Sequence, residues 1–281
     1  AVFKRGVKLS GATVHFVSAV VDGGPIILQE AIDISLCNSP DEIAELILKN
    51  VEHKLLVKAV SLYCENKLEV IKEKVMKVLI INGSPHIHGT TARAIEELKK
   101  AFDSLDVLVE VINIGNKDIR GCIACGNCFK ENSKCIFDDE VNEVSEKLKE
   151  ADGLILASPV YYASPNATLI AFCDRLFHSS RFSKLMKVGA SVCVGRRGGI
   201  TSSFDVLNKY FTISGMPIAS GQYWNGVHGS SYEEAEEDVE GLQQMRTLAT
   251  NMTFLMKSIK LGKETFGLPN REKTKYTNFI R

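Results

Sequence analysis

Apolar strands alternate with amphipathic helices over most of the chain. From residue 76 onward, short apolar runs are followed by segments in which apolar residues recur every three or four positions, as in Val141, Val144 and Leu148. The first pattern is typical of strands buried on both faces, and the second of helices with one apolar face. The predicted strands are 77–82, 107–112, 153–158, 188–194 and 217–221, and the predicted helices are 91–104, 138–151, 165–178, 203–213 and 233–260.

This regular alternation predicts the fold class, which is α/β with a doubly wound, five-stranded parallel sheet. Each right-handed crossover places its helix against one face of the sheet, so that successive units cover both faces. In such folds, ligands bind beyond the carboxyl ends of the strands. Functional residues are therefore expected in the loops that follow the strands.

The first 75 residues have a different organisation. Two strands are predicted at 12–17 and 25–34, and a helix follows from about 40 to 63, opened by the capping-box sequence Ser39-Pro40-Asp41-Glu42. A unit of fewer than roughly 80 residues buries little apolar surface by itself. This small α/β fragment is therefore expected to need a partner surface.

A domain boundary is predicted at Met76. The sequence MKVLIINGS begins there with a charged residue, a buried-type strand and a glycine turn, which is typical of an independent chain start. No Gly/Ser-rich linker precedes it, so the junction is expected to be tight. The predicted domains are 1–75 and 76–281.

The composition excludes several functional classes. The 281 residues include 34 Lys+Arg and 34 Asp+Glu, a balance that offers no basic surface for nucleic acid or for an anionic membrane. The most apolar early stretch, 12–28, is interrupted by His15 and Asp22 and does not suit a membrane span. The sequence opens without a signal-peptide pattern. We therefore expect a cytoplasmic protein with no nucleic-acid or membrane partner.

A cluster of cysteines lies in the loop after the second predicted strand. This loop, 113–137, is about 25 residues long, whereas β-α loops usually take roughly 2 to 6, and long loops in compact domains are commonly functional. The spacing C-x2-C-x2-C-x6-C favours a [4Fe-4S] cluster over the paired knuckles of a zinc site. A loop without metal, its thiols free or paired, is the third alternative. The candidate metal ligands are Cys122, Cys125, Cys128 and Cys135.

Three further loops have the residue types of a mononucleotide site. Residues 83–91 are small and hydroxyl-rich and lead into a helix, which suits one terminal phosphate. A plain turn capped by threonine is the alternative, and the absence of Walker and G-x-G-x-x-G patterns disfavours a dinucleotide. Residues 158–165 combine two prolines with adjacent tyrosines, which suits a flat ring. The glycines of 195–199 permit close approach to a ligand.

Because these loops are expected at one sheet edge, they point to FMN as the cofactor. The loop after the fifth predicted strand, YWNGVHG, contains the single tryptophan, and a tryptophan in a glycine-rich loop more often covers a ligand or a partner chain than fills a core. Flavin chemistry requires no catalytic side chain, and Trp224 and His228 are the only candidates for one. The candidate cofactor-binding residues are Ser84, Pro85, His88, Gly89, Thr90, Thr91, Pro159, Val160, Tyr161, Tyr162, Gly195, Gly198 and Gly199.

Residues 76–281 resemble the NAD(P)H-dependent FMN reductase family and, within it, the iron-sulfur flavoproteins. The matching motifs are NGSP with the Gly-Thr-Thr that follows, the four-cysteine loop with Asp138-Asp139, SPVYYASPNATLIAFCDR and YWNGVHG. The resemblance implies a flavodoxin-like sheet, with the flavin ring against 159–162. His86 and His88 depart from the family, in which Arg or Asn is more common. The residues implied to bind the FMN phosphate are Ser84, His88, Thr90 and Thr91.

Residues 1–75 resemble the C-terminal part of glycinamide ribonucleotide formyltransferase. The resemblance lies in SGATVHFVSAVVDGGPIILQEAIDI, the helix after it and ENKLEVIKEKV. Asp22 falls on the position of a catalytic aspartate of that family, and His15 on a histidine near its site. The Asn-x-His strand and the phosphate-binding half of the family have no counterpart in this sequence. One carboxylate without these partners does not support acyl transfer, so a truncated fusion without that activity is expected.

Together these features predict an FMN-dependent oxidoreductase of the iron-sulfur flavoprotein type. It would move electrons between NAD(P)H or a carrier protein, FMN and a [4Fe-4S] cluster. The alternatives are an NAD(P)H-dependent FMN or quinone reductase without a cluster, and a flavodoxin-like electron carrier without turnover. A homodimer or tetramer is expected because the Trp224 loop and the small first module both need a partner surface.

Overall fold

The computed structural model describes residues 3–17, 24–68, 75–130, 134–273, 275 and 277. The chain divides into two units, Ala1–Lys74 and Val75–Arg281. Asp22, which the formyltransferase resemblance singles out, lies outside the described residues. The two units are described separately below.

The first unit is a β-hairpin packed against a helical segment. Strands β1 (Leu9–His15) and β2 (Ile26–Asp33) pair antiparallel, and helices α1 (Pro40–Ile47) and α2 (His53–Cys64) are joined by a π-helical stretch, Leu48–Glu52. The predicted single helix is therefore α-helical only at its two ends. The small core of this unit consists of Ile34, Ile43, Ile47, Val51 and Leu55.

A parallel sheet organises the second unit. The spatial order of the strands is β4-β3-β5-β7-β8, each neighbouring pair is parallel, and β6 pairs antiparallel with the end of β5. Numbered within the unit, this is the order 2-1-3-4-5 of flavodoxin-like folds. The predicted fold class is confirmed. The strands are β3 (Lys77–Asn82), β4 (Leu108–Asn113), β5 (Gly153–Tyr161), β6 (Ser164–Pro165), β7 (Val188–Gly195) and β8 (Gly226–His228).

Helices cover both faces of this sheet because successive strand residues are apolar on both sides. Val78 and Ile80 of β3 are buried on one face, in the core cluster that includes residues of α3 and α8. Leu79 and Ile81 are buried on the other face, with residues of α4, α5 and α6. The helices are α3 (Thr90–Asp103), α4 (Glu140–Glu150), α5 (Ala167–Ser179), α6 (Ile200–Ile213), α7 (Tyr232–Glu237) and α8 (Val239–Phe266).

The predicted fifth strand is misplaced in sequence. Only a single bridge, from Gly189 to Ile218, forms within 217–221, and the paired strand is β8, further along the chain. Side-chain hydrogen bonds divert the intervening backbone, because Gly221 N–H donates to Asn225 Oδ1 and the N–H groups of 222 and 223 donate to Gln244 Oε1. The strand propensity of residues 217–221 does not reveal that Asn225 and Gln244 accept these hydrogen bonds.

The long C-terminal helix that the sequence predicts from 233 to 260 is divided at Asp238. The Asp238 carboxylate accepts a hydrogen bond from Gly241 N–H and thereby caps α8, while its backbone leaves the helical region. Helix α8 then continues to Phe266. Among the described residues, no helix combines the length and apolar character that a membrane span requires.

Leu154 and Leu108 provide a matched test of the core. Leu154 on the central strand β5 has no exposed surface, whereas Leu108 on the edge strand β4 is 60% exposed. We expect Leu154→Ala to lower the free energy of unfolding by about 2–5 kcal/mol, because buried methyl groups are lost and a cavity remains. Leu108→Ala should change it by about 0.5 kcal/mol or less. Urea unfolding followed by the fluorescence of Trp224, which reports on the second unit, measures both, and equal effects would contradict the proposed sheet order.

Candidate functional site

A cleft of about 780 Å³ opens at the carboxyl ends of β3, β5 and β7. Its volume lies in the range of small-molecule and cofactor sites. We call it the cofactor cleft. It brings together predicted residues from three separate loops, namely Ser84, His88, Gly89, Thr90, Thr91, Pro159, Val160, Tyr161 and Gly195.

One end of the cofactor cleft is the N-terminus of α3. The helix begins after Gly89, which caps it without a side-chain hydrogen bond, so the first N–H groups are not occupied by a capping side chain. Ser84 adds a hydroxyl that already accepts from His86 N–H at 3.2 Å and can therefore direct its own proton elsewhere. Backbone N–H groups, a hydroxyl and the helix dipole together suit a phosphate.

Thr90 helps to build the wall of the cleft. Its hydroxyl lies 3.2 Å from Gly229 O and 3.1 Å from Ser231 O, so its proton is directed to the segment after β8. The side chain of Thr90 thus holds the 229–231 segment beside α3. A phosphate at this position would meet the backbone of Thr90 and not its hydroxyl proton.

Ion pairs fix the direction of α3 from its outer side. Arg93, a residue that is 7% exposed, contacts Glu97 at 3.0 Å and Glu236 of α7 at 3.2 Å. Arg246 of α8 also pairs with Glu97. Burial alone would raise the pKa of Glu97, but hydrogen bonds from Arg246 and Arg93 hold that pKa below its ordinary value. The N-terminus of α3 is therefore anchored to α7 and α8.

The other end of the cleft is the last part of β5, just before a tight turn. Pro159, Val160 and Tyr161 line the cleft, whereas Tyr162 lies at the tip, fully exposed and in the left-handed region with φ of 51°. Gly199 packs on this turn with φ of 100°, and a Cβ on it would lie only 3.0 Å from Val160 Cγ1. The apolar and aromatic surface of this end suits a flat ring.

Several predicted residues lie outside the cofactor cleft. A neighbouring cavity of about 290 Å³, which we call the tryptophan pocket, is lined by Gly198, Gly199, Trp224 and His228, and the Trp224 ring contacts that of Tyr223 at 4.6 Å between centroids. His228 is tied to Asp238, whose carboxylate accepts from His228 N–H at 2.6 Å. The remaining residues that do not line the cofactor cleft are Pro85 and Tyr162.

Sequence reasoning missed the contribution of the segment after β8. Gly229, Ser230, Ser231 and Tyr232 line the cofactor cleft beside α3. Tyr232 is positioned by a hydrogen bond from its hydroxyl to Glu96 Oε2 at 2.6 Å. The signal was the small, hydroxyl-bearing sequence HGSSY directly after the last strand, which has the same character as the loop after the first strand.

The cysteine loop begins against the phosphate end of the cleft. A Cβ placed on Gly115 would lie 2.2 Å from Ser84 C and 2.4 Å from Gly83 O, so only glycine permits this backbone contact. Residues 114–139 connect β4 to α4, with 131–133 outside the described residues. The structure therefore joins the start of the cysteine loop directly to the loop that lines the cleft.

The four predicted metal ligands line one small cavity, which we call the cysteine cavity. Cys122 and Cys125 are exposed, Cys128 is buried and Cys135 is half-buried, and Arg175 and His178 of α5 close the cavity. Within the part of the chain that the structure describes, no three His, Cys, Asp or Glu side chains are arranged to hold a single metal ion. Four thiols around one cavity nonetheless match a [4Fe-4S] cluster in the type and number of donors.

The other cysteines do not belong to this donor set. Burial raises the pKa of the Cys173 thiol and raises that of Cys193 to about 12, so both stay protonated, whereas a metal ligand must be a thiolate. Cys37 and Cys64 lie in the first unit, where Cys37 is half-buried and Cys64 is exposed.

Arg175 links the cysteine cavity to helix α5. The guanidinium is 1% exposed and donates to Asp139 at 2.5 and 2.8 Å and to Cys135 Sγ at 3.2 and 3.3 Å. It also donates to Arg120 O and lies over the ring of Phe137 at 4.8 Å. Arg175 thus joins three residues of the loop, Arg120, Cys135 and Asp139, to α5.

Comparison with known proteins agrees with the division of the chain. The family model of NADPH-dependent FMN reductases matches residues 76–229, and that of formyl transferases matches residues 1–60. An iron-sulfur flavoprotein of Methanocaldococcus jannaschii is 34% identical over 197 residues, which cover 66% of this chain and 100% of that protein. A chloroplastic phosphoribosylglycinamide formyltransferase of Arabidopsis thaliana is 38% identical over 69 residues, or 25% of this chain and 23% of that protein.

A solved structure supports the fold. The crystal structure of RosB with the bound intermediate 8-demethyl-8-formylriboflavin-5'-phosphate superposes with a TM-score of 0.52 at 16% identity, covering 73% of this chain and 94% of that chain. The resemblances expected from the sequence for both units are confirmed by these matches. Because the first family model spans more than half of the chain, the protein belongs, through its second unit, to the NADPH-dependent FMN reductase family.

Proposed function

We propose that the second unit is an oxidoreductase of the iron-sulfur flavoprotein type, with FMN in the cofactor cleft and a [4Fe-4S] cluster in the cysteine cavity. The FMN oxidoreductase class follows from the family. The observation that supports the addition of a cluster is that Cys122, Cys125, Cys128 and Cys135 all line one cavity. The loop that carries them begins at the contact of Gly115 with Ser84.

The residues of the cofactor cleft fit FMN in shape and chemistry. The phosphate would bind at the N-terminus of α3, near Ser84 and the N–H groups of Thr90 and Thr91, and the ring would lie at Val160 and Tyr161. Bound FMN supplies the capacity to accept a hydride or a pair of electrons and to release electrons singly. The protein supplies the binding groups and the orientation of the ring.

The cysteine loop fits the second redox centre. Cys122, Cys125, Cys128 and Cys135 would hold the cluster, which supplies single-electron transfer when bound. Burial raises the pKa of the Cys128 thiol, so that binding of iron there would release a proton. NAD(P)H or a carrier protein would exchange electrons with the flavin, and assembly into a homodimer or tetramer stays a prediction.

A reductase without a cluster is the second candidate. It is favoured by the finding that, among the described residues, no three potential ligands meet the geometry of a single metal site. In that case the cysteine loop would have a structural role. Direct analysis of the purified protein separates the two candidates.

The metal content of cysteine variants tests the cluster. We expect protein purified without oxygen to contain FMN, iron and acid-labile sulfide, and Cys128→Ser to lose most of the iron and sulfide while keeping FMN. Cys64→Ser, a change of the same atoms in the first unit, should keep all three. Flavin without iron in the unchanged protein would favour the cluster-free reductase, and absence of flavin absorbance would contradict both candidates.

Turnover distinguishes an enzyme from an electron carrier. We expect the holoprotein to oxidise NADH or NADPH in the presence of an electron acceptor, since family membership implies an FMN oxidoreductase. Stopped-flow bleaching of the flavin absorbance by each nucleotide measures this directly. If neither nucleotide reduces the flavin while a low-potential carrier protein does, the electron donor of the flavin is a carrier protein and not NADH or NADPH.

Gly115 tests the contact between the two sites. Gly115→Ala places a Cβ within 2.4 Å of backbone atoms of Gly83 and Ser84, so the loop that contains them must shift. We therefore expect FMN affinity to fall by about tenfold or more, equivalent to about 1.4 kcal/mol. Gly121→Ala adds the same methyl group where no atom lies within 4 Å and should leave FMN affinity unchanged. Fluorescence titration of the flavin-free protein with FMN measures both, and equal affinities would contradict the role given to this contact.

A further inference from the structure

The charged side chain of Arg175 is fully buried, which apolar packing does not explain. It is the largest fully buried side chain of the described residues, and a guanidinium removed from water is unfavourable unless its donors are paired. Asp139 compensates the charge through two hydrogen bonds at 2.5 and 2.8 Å. The remaining donors of the guanidinium do not face another carboxylate; they face a sulfur atom and a carbonyl.

The sulfur contact uses a second edge of the guanidinium. Nε and Nη2 of Arg175 lie 3.3 and 3.2 Å from Cys135 Sγ, while Nη1 and Nη2 face Asp139. This arrangement requires a planar fork with several fixed donors, which arginine has and lysine lacks. The position of the Cys135 sulfur is therefore specified by the same group that is locked by Asp139.

The backbone of Cys135 is fixed independently. Its N–H donates to Asn142 Oδ1 at 2.9 Å, and Asn142 Nδ2 donates back to Cys135 O at 3.0 Å. The ring of Phe137 lies against the Arg175 guanidinium at 4.8 Å and limits its movement. Cys135 is thus held by α4 through its backbone and by α5 through its sulfur, which is the arrangement expected of a ligand and its supporting shell.

Helix α5 connects this contact to the cofactor cleft. The helix begins at Ala167, shortly after β6, which pairs with the cleft-lining residues Val160 and Tyr161 of β5. Its Asn166 cap accepts from Thr168 N–H at 2.7 Å. The eight helical steps from Ala167 to Arg175 span about 12 Å along the helix axis. A rigid element of that length therefore relates the Cys135 sulfur to the wall of the cleft.

We propose that Arg175 is a positioning residue for the iron-sulfur cluster, holding the Cys135 thiolate as the fourth ligand through a fork shared with Asp139. This inference rests on the proposed function. Arg175 does not touch the cluster iron in this role and it is not among the residues of the cofactor cleft. Loss of its donors should therefore affect the retention and the electronic state of the cluster and leave FMN in place.

The test compares the oxygen-free holoprotein with Arg175→Gln and Arg175→Lys. We expect Arg175→Gln to lose iron to a ferrous-iron chelator about 10–100-fold faster than the unchanged protein, the range typical for removal of a supporting hydrogen bond at a metal site. Arg175→Lys should recover only part of this loss because its ammonium cannot contact Asp139 and Cys135 as a fork. The FMN content of both variants should equal that of the unchanged protein.

A spectroscopic readout separates positioning from stability alone. Removing a positively charged donor disfavours the more negative, reduced cluster, so we expect a negative shift of its midpoint potential and altered g-values in the electron paramagnetic resonance spectrum. Arg120→Gln is the matched control, since that guanidinium lies over the same Phe137 ring at 4.9 Å while its carbonyl contact to Arg175 belongs to the backbone. It should keep the iron-loss rate and spectrum of the unchanged protein.

A second variant covers the case in which Arg175→Gln does not fold. Asp139→Asn keeps the side-chain cap of α4, because asparagine also caps helices well, but it removes the charge that locks Arg175. Faster iron loss with unchanged FMN supports the proposal. Iron loss and spectra equal to those of the unchanged protein in every folded variant would overturn it, whereas absence of iron from the unchanged protein would overturn the proposed cluster together with it.

Discussion

Parallel pairing of the central strands is the constraint on which the rest of the second unit depends. β3, β5 and β7 are paired in one direction and are buried on both faces, so their carboxyl ends must meet at the same edge. Parallel sheets need cover on both sides, and the two core clusters supply it. The loops after these strands therefore converge, although 111 positions separate Ser84 from Gly195 in the sequence.

Polar groups complete the two sites in different ways. The cofactor cleft presents backbone N–H groups, hydroxyls and apolar surface, and charged side chains of both signs, Glu96, Arg196 and Glu233, also line it. The cysteine cavity instead has a buried cation at its wall, Arg175, balanced by Asp139. Backbone N–H groups at a helix N-terminus suit a phosphate, whereas a cation beside thiolates suits a centre with excess negative charge.

The first unit shows how little a small α/β fragment can bury. Among its described residues, the core cluster consists of Ile34, Ile43, Ile47, Val51 and Leu55, whereas each face of the sheet in the second unit buries many more. Exposed apolar residues remain on α2, including Val57, Val60 and Tyr63. Surface-to-volume scaling explains this difference, because small units bury a smaller fraction of their chain. The similarity of this segment to formyl transferases covers only about a quarter of such a protein.

The repeating apolar pattern was sufficient to predict the α/β class and the strands β3, β4, β5 and β7, because these features depend on local periodicity. It also predicted the three loops of the cofactor cleft, because ligands bind beyond the carboxyl ends of parallel strands. Tertiary structure alone decided the remainder. The last strand forms at β8, and not at the predicted 217–221, because the side chains of Asn225 and Gln244 accept hydrogen bonds from the backbone before it. Gly198 and Trp224 line a different cavity from Gly195. The partnership of Arg175 with Cys135 joins residues 40 positions apart, and contacts of that kind depend on how helices pack and not on any pattern within one segment.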